Sequence, residues 1–178
     1  MVAAPLAATL LADLGADCVK IEPPEGEEGR RVGPRKGDES GLYVGVNRNK
    51  RGVALDLRSP AGADVLARLL AGTDVLVHNL RGGARSKLGL DWDTLHARYP
   101  RLVVVTVSTF GESGPFAGRP GIDPAAQALG GLMAFTGEAD GPPVKAGPAV
   151  ADVTAATLAA YAALAALMAR ARDGVGQR

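Results

Sequence analysis

Val75-Leu76-Val77-His78-Asn79-Leu80-Arg81-Gly82-Gly83 is the stretch that decides the fold. A short apolar run reads as a strand. It leads through His78, Asn79 and Arg81 into a Gly82-Gly83 loop, which a short helix and a second helix from Asp91 to Arg98 follow. Further on, Leu102 to Val107 reads as a strand covered on both faces, as in a parallel sheet. Upstream, Val53-Ala54-Leu55-Asp56-Leu57 reads as a strand. It precedes a helix opened by Ser59-Pro60, cap and first-turn proline in the favoured order. Short strands alternating with helices of about 10–15 residues imply an α/β fold, Rossmann-like, with a mainly parallel sheet flanked by helices.

The outer parts extend this pattern. Pro5 to Leu14 reads as a helix with Leu6, Leu10, Leu11 and Leu14 on one side, stopped by Gly15. A strand, Cys18-Val19-Lys20-Ile21, follows. Pro23-Pro24-Glu25-Gly26 then opens a loop expected to last to about Asn49. A second glycine-rich loop, Gly111 to Gly121, precedes two helices. The last of these is rich in alanine and ends near Ala171. Its apolar part, Val153 to Ala169, is too short and too weakly hydrophobic to span a bilayer comfortably, and reads as a buried helix.

Composition excludes several classes of function. A net charge of +1 over 178 residues, with the signs interspersed, gives no reason to expect a nucleic-acid partner. The single cysteine, Cys18, rules out an internal disulfide framework and fits a reducing cytoplasm, where the chain is expected. There is no G-x-G-x-x-G and no P-loop. With only His78 and His96 present, no His-rich metal cluster is expected. His96 reads as lying on an exposed helix face, and His78 sits at the ligand end of a strand.

Ligands on such sheets sit at the carboxyl ends of the strands. Arg58, Asn79 and Arg81 fall there, with Lys87 about a turn further on. Cations and amides beside glycines suit phosphate or pyrophosphate, although exposed loop cations read the same way. Asp152 stands apart. It is the only charged residue between Lys145 and Arg170, at the mouth of the alanine-rich helix. It reads either as a helix cap or as a nucleophile toward an activated acyl group.

Taken in order, the segments carry a resemblance. Leu10-Leu11-Ala12-Asp13-Leu14-Gly15-Ala16-Asp17 with Lys20-Ile21-Glu22 comes first, then Asn47-Arg48-Asn49-Lys50-Arg51 with Leu55-Asp56-Leu57-Arg58-Ser59-Pro60. Asn79-Leu80-Arg81-Gly82-Gly83, Leu88-Gly89-Leu90, Phe110-Gly111, Gly114-Pro115 and Arg119-Pro120-Gly121 follow. Ala126-Gln127 with Gly131, Thr136-Gly137-Glu138, Gly141-Pro142-Pro143 and the segment ending in Asp152 complete the set. The chain thus resembles the family III coenzyme A transferases, the group containing formyl-CoA transferase and the carnitine-related CoA transferases. Each piece alone is weak; the ordered set is specific.

The resemblance implies an enzyme that moves CoA from an acyl-CoA thioester to a carboxylic acid acceptor, without a metal. The family's catalytic aspartate falls on Asp152. It attacks the thioester to give a mixed anhydride, and the released thiolate then forms a β-aspartyl-CoA thioester. Positions contacting CoA fall on Leu55, Asp56, Leu57, Arg58, Asn79, Leu80 and Lys87, with Ala3 beside the first helix; Arg81 joins them on charge. The chain departs from the family at Ala4, where a glycine usually precedes the proline, and at Pro23, which replaces a basic residue. It is expected to be, over residues 1–178, the N-terminal part of the family's large domain, without the first strand and the small C-terminal domain. Full-length members form interlocked homodimers.

Two other readings stand beside this one. An α-methylacyl-CoA racemase-like enzyme needs a base on each side of the α-carbon, and Ile122 stands where its histidine would be. An inactive remnant that only binds CoA is the other.

Overall fold

The computed structural model describes residues 1–178. In chain order it contains α1 (Ala3–Asp13), β1 (Cys18–Glu22), a 3₁₀ turn (Glu28–Arg31), β2 (Arg35–Lys36), β3 (Glu39–Ser40), α2 (Gly41–Asn47), β4 (Lys50–Ala54) and α3 (Pro60–Ala71). Then follow β5 (Val75–His78), α4 (Gly82–Lys87), α5 (Trp92–Arg98), β6 (Val103–Thr106), α6 (Asp123–Leu129), a 3₁₀ turn (Leu132–Phe135) and α7 (Val150–Asp173). The chain is α/β, as its alternating pattern implies. Its parallel strands form two separate pairs, β1 with β4 and β5 with β6, while β2 and β3 make a small antiparallel hairpin.

Local sequence explains several boundaries. The Ser59 Oγ accepts from the Gly62 amide at 3.0 Å, and Pro60 follows as the first helical residue of α3. α7 ends at Gly174, whose φ of +78° is a left-handed cap that glycine adopts without strain.

Four expectations need correction. The strand expected over Val53–Leu57 lies three residues earlier, because parallel pairing sets Cys18 against Lys50 and Glu22 against Ala54. The segment from Pro23 to Asn49 is not one loop: it holds the hairpin and α2, whose cap Ser40 accepts from the Tyr43 amide at 3.2 Å. Gly82 and Gly83 form the first turn of α4 rather than a loop. Finally, α1 buries Ala3, Ala4, Ala7, Thr9 and Ala12, while Leu14 is 74% exposed. Its alanine face lies on α7, where Ala7, Ala156 and Ala159 meet with Val77 and Val105 packed against them. Small side chains let the two helix axes approach closely, so the leucines face partly outward.

A second cluster joins Leu66, Leu70, Leu90, Leu95, Leu102 and Val104. Each such buried side chain contributes roughly 1.5–3 kcal/mol. Leu57, Leu80 and Leu88 pack against this cluster, which ties the segments after β4, β5 and α4 to one support.

Candidate active site

α7 decides where Asp152 lies. Near its end, Arg170 donates to the Asp74 carboxylate at 2.6 Å and to the Arg101 carbonyl at 3.0 Å, just ahead of β5 and β6. The chain beyond continues the tie: the Gly176 amide donates to the Pro100 carbonyl at 2.8 Å. The C-terminal end of α7 is therefore held at the amino ends of these strands. Asp152, 18 residues earlier than Arg170, is about 27 Å up the helix, toward their carboxyl ends. That is the side on which Asn79, Leu80 and Arg81 leave β5.

Asp152 does not cap α7. The helix starts after Ala149, which has no side chain able to accept a hydrogen bond, and no local side chain takes the role. The cap comes from α6. Asp123 Oδ1 accepts from the amides of Ala151 at 2.8 Å and of Asp152 itself at 3.2 Å. The Asp152 carboxyl is partly buried and held above its usual range, first by burial and then by the negative charge of Asp123, with the Met1 α-ammonium acting the other way. No hydrogen bond to its own carboxylate offsets the burial. That the Met1 ammonium acts on Asp152 brings the start of α1, with the buried Ala3, to the start of α7.

The other candidates form a second group. Leu55 donates its amide to the Glu22 carbonyl at 2.8 Å, continuing the line of β4. The Asp56 carboxylate accepts from the Arg58 amide and from its Nε, both at 3.0 Å. Leu57 packs inward and Arg58 faces solvent. Beside β5, the Leu80 amide donates to His78 Nδ1 at 3.3 Å, and His78 Nε2 lies 3.2 Å from Thr106 Oγ1. Burial, then the charge of Arg85, pushes the His78 imidazole down to about 4, so it is a neutral brace beneath the Asn79–Arg81 segment. Arg85 is engaged by Asp91 at 3.1 Å and by Glu112. Arg81 and Lys87 are exposed and make no ion pair, which leaves them free to meet an anion.

His96 is corrected: it is half-buried and stacked on Trp92 with ring centroids 4.7 Å apart. A surface cleft of about 530 Å³, lined by Arg68, Arg98 and Arg101 among others, lies beside the amino end of β6, away from Asp152. The sequence reading missed the capping role of Asp123 and the part played by Gln127, whose side chain holds Asp123 Oδ2 at 2.7 Å. Their four-residue spacing on a helix was the available signal.

The description "CoA-transferase family III" belongs to the family whose model matches residues 1–178. The succinyl-CoA–D-citramalate CoA-transferase of Chloroflexus aurantiacus is 40% identical over 98% of this chain and 44% of its own length. The acetyl-CoA:oxalate CoA-transferase of Acetobacter aceti is 37% identical over 97% of this chain and 45% of its own. The crystal structure of a CaiB/BaiF family protein from Brucella suis superposes with a TM-score of 0.94 at 39% identity, covering 99% of this chain and 48% of that one. The chain spans about half the length of the relatives it matches.

Proposed function

The chain belongs to CoA-transferase family III, and on that footing we propose that the protein transfers coenzyme A from an acyl-CoA thioester to a small carboxylic acid, with Asp152 as the nucleophile. The observation that carries this reading is the state of Asp152: partly buried, released from capping, and toward the strand ends where α/β sheets take ligands.

The steps balance without an outside reagent. The Asp152 carboxylate attacks the thioester carbonyl, forming a C–O bond as the C–S bond breaks. The products are a mixed anhydride and the CoA thiolate. The thiolate attacks the Asp152 carbonyl carbon and expels the donor as its carboxylate, leaving a β-aspartyl-CoA thioester. The acceptor carboxylate then repeats the first step in reverse sense: it displaces the thiolate and becomes an anhydride on Asp152. Attack of the thiolate on the acceptor acyl carbon gives the new acyl-CoA and returns Asp152 as a carboxylate. No proton has to be moved, so the steps call on neither His78, which is engaged by Thr106 and Leu80, nor His96, which is stacked on Trp92 in α5.

Ala3, Leu55, Asp56, Leu57, Arg58, Asn79, Leu80, Arg81 and Lys87 are the proposed CoA contacts, with Arg81 and Lys87 supplying positive charge for its phosphates. We further propose a cytoplasmic location, which the single cysteine suits, and an interlocked homodimer for the full-length form, which only the resemblance to the family suggests. Ile122, 70% exposed ahead of Asp123, is no base, so the racemase reading gains no support.

Intact mass after incubation with a panel of acyl-CoA thioesters tests the reading. A hydroxylamine-sensitive adduct is expected on the wild type and absent from Asp152→Ala, with CoA binding retained by both. Equal CoA binding with no adduct on either would sink the nucleophile and leave a CoA-binding remnant.

A further inference from the structure

Asp123 takes no part in the bond changes above, yet its carboxylate is buried against the backbone of the nucleophile. It is 7% exposed, and Gln127, one turn along α6, is 2% exposed. Apart from the bond that joins the two, the side-chain hydrogen bonds of the pair converge on the segment that delivers Asp152. Asp123 Oδ1 takes the amides of Ala151 and Asp152 at 2.8 and 3.2 Å. Its Oδ2 takes Gln127 Nε2 at 2.7 Å. Gln127 Oε1 accepts from the Ala146 amide at 2.9 Å, and its Nε2 also reaches the Pro148 carbonyl at 3.4 Å. One buried carboxylate–amide pair thus grips both ends of the turn from Ala146 to Asp152.

We propose that Asp123, braced by Gln127, is a positioning residue for Asp152. It caps α7 from outside that helix, frees the Asp152 carboxylate from capping, and holds it beside a second negative charge. The proposal rests on the reading of Asp152 as nucleophile.

The arrangement has a chemical consequence. A capping carboxylate would be tied to backbone amides and stabilised as an anion. Asp152, relieved of that task, carries a charge opposed by burial and by Asp123. Bond formation to an acyl carbon turns this anion into a neutral anhydride oxygen, so both penalties ease as the transition state is approached. The charged groups acting on Asp152 are Asp123 from α6 and the Met1 α-ammonium ahead of α1.

Two variants separate the cap from the charge. Asp123→Asn keeps an accepting oxygen for the Ala151 and Asp152 amides and the shape, removes the charge, and gives up the bond from Gln127 Nε2, which then faces an NH2 group; Asp123→Ala removes the acceptor and the charge together. Carboxyl-carbon NMR of Asp152 follows its titration, amide exchange follows the Ala151 and Asp152 amides, and the rate of adduct formation follows the chemistry. In Asp123→Asn the amides stay protected, and both the titration midpoint and the acid limb of the pH–rate profile move to lower pH. In Asp123→Ala the two amides lose protection and the saturating rate falls by about 10–100-fold, with little change in the acyl-CoA concentration at half-maximal rate. Gln127→Ala follows the alanine variant in weaker form. An unchanged Asp152 titration in Asp123→Asn overturns the proposal even if the alanine variant fails to fold. Absence of any adduct on the wild type overturns the nucleophile reading instead. Titration and exchange need no turnover and still decide whether Asp123 sets the state of Asp152.

Discussion

Asp152 stands in the first turn of α7, where carboxylates commonly accept from free amides, but the amides of Ala151 and Asp152 are taken by Asp123. At Gly62 the constraint is steric. A β-carbon there would lie 2.1 Å from the Asp56 carbonyl oxygen, far inside van der Waals contact. Gly62→Ala should therefore destabilise by about 1–3 kcal/mol, despite the helix propensity gain of about 1 kcal/mol. A urea midpoint measures this, and CoA binding should weaken with it if the Leu55–Arg58 segment is a contact. Titration also belongs to single residues. His78 is 7% exposed and its folded value is down at about 4 from 6.5. The unfolded chain takes up the proton first, so stability is lost as pH falls from 6.5 to 4, by about 3 kcal/mol in all. Glu22, 6% exposed, is held at about 2. Burial pushes it up, but Arg30 at 2.7 and 3.0 Å, Tyr43 and the Glu27 amide outweigh that. Its contribution is complete above 4.5 and disappears as pH falls toward 2. Thermal melts across pH should show a decline beginning near 6.5, and His78→Gln, which can still accept from Leu80, should flatten that first limb. An unaltered slope in that variant would count against the brace.

Elements show how closely packing depends on side-chain size. α1 and α7 meet through Ala7, Ala156 and Ala159, and Ala156 and Ala163 are wholly buried. Ala156→Leu inserts a branched side chain where the helices touch, and should cost about 1–3 kcal/mol. Because Ala3 and Asp152 lie at the same end of this pair, adduct formation should suffer as well. Val153→Ala, on the outer face a few residues away and 44% exposed, serves as the control and should leave both stability and adduct rate near wild type. At α3, Ser59→Ala removes the acceptor for the Gly62 amide, with an expected loss of about 1 kcal/mol by the same denaturation assay. The α1 result also shows what a pattern leaves open. With leucines and alanines on opposite sides, both faces of α1 are apolar, and only its neighbour selects the one that is buried.

At the scale of the molecule, α7 is the anomaly. It has 24 residues, longer than its apolar segment suggested, and by length and composition alone it could cross a membrane. Only 22% of its most apolar window is buried, which corrects the expectation of a buried helix. Its outer side carries Leu158 at 61%, Tyr161 at 72% and Met168 at 75% exposed, and Phe135 nearby in sequence is 92% exposed. A surface this apolar favours association. Light scattering should report self-association that rises with concentration, and replacing Leu158, Tyr161 and Met168 by serine should reduce it without lowering the melting temperature.

Much of the molecule was determined by sequence alone. Apolar runs, turn glycines and the Ser59-Pro60 start are local signals, and they marked α/β architecture, α3, β5, β6 and the ordered motifs of the family. They also singled out Asp152, because a lone carboxylate in an apolar stretch is visible without a fold. Tertiary structure decided what depends on partners distant in the chain. The register of β4 is set by β1, which pairs Lys50 with Cys18 rather than following the apolar run from Val53. The buried face of α1 is set by α7. The state of Asp152 is set by Asp123, 29 residues away in sequence. Hydrogen bonds and burial act on whatever the fold brings within about 3 Å, and no local pattern encodes which distant group will arrive there first.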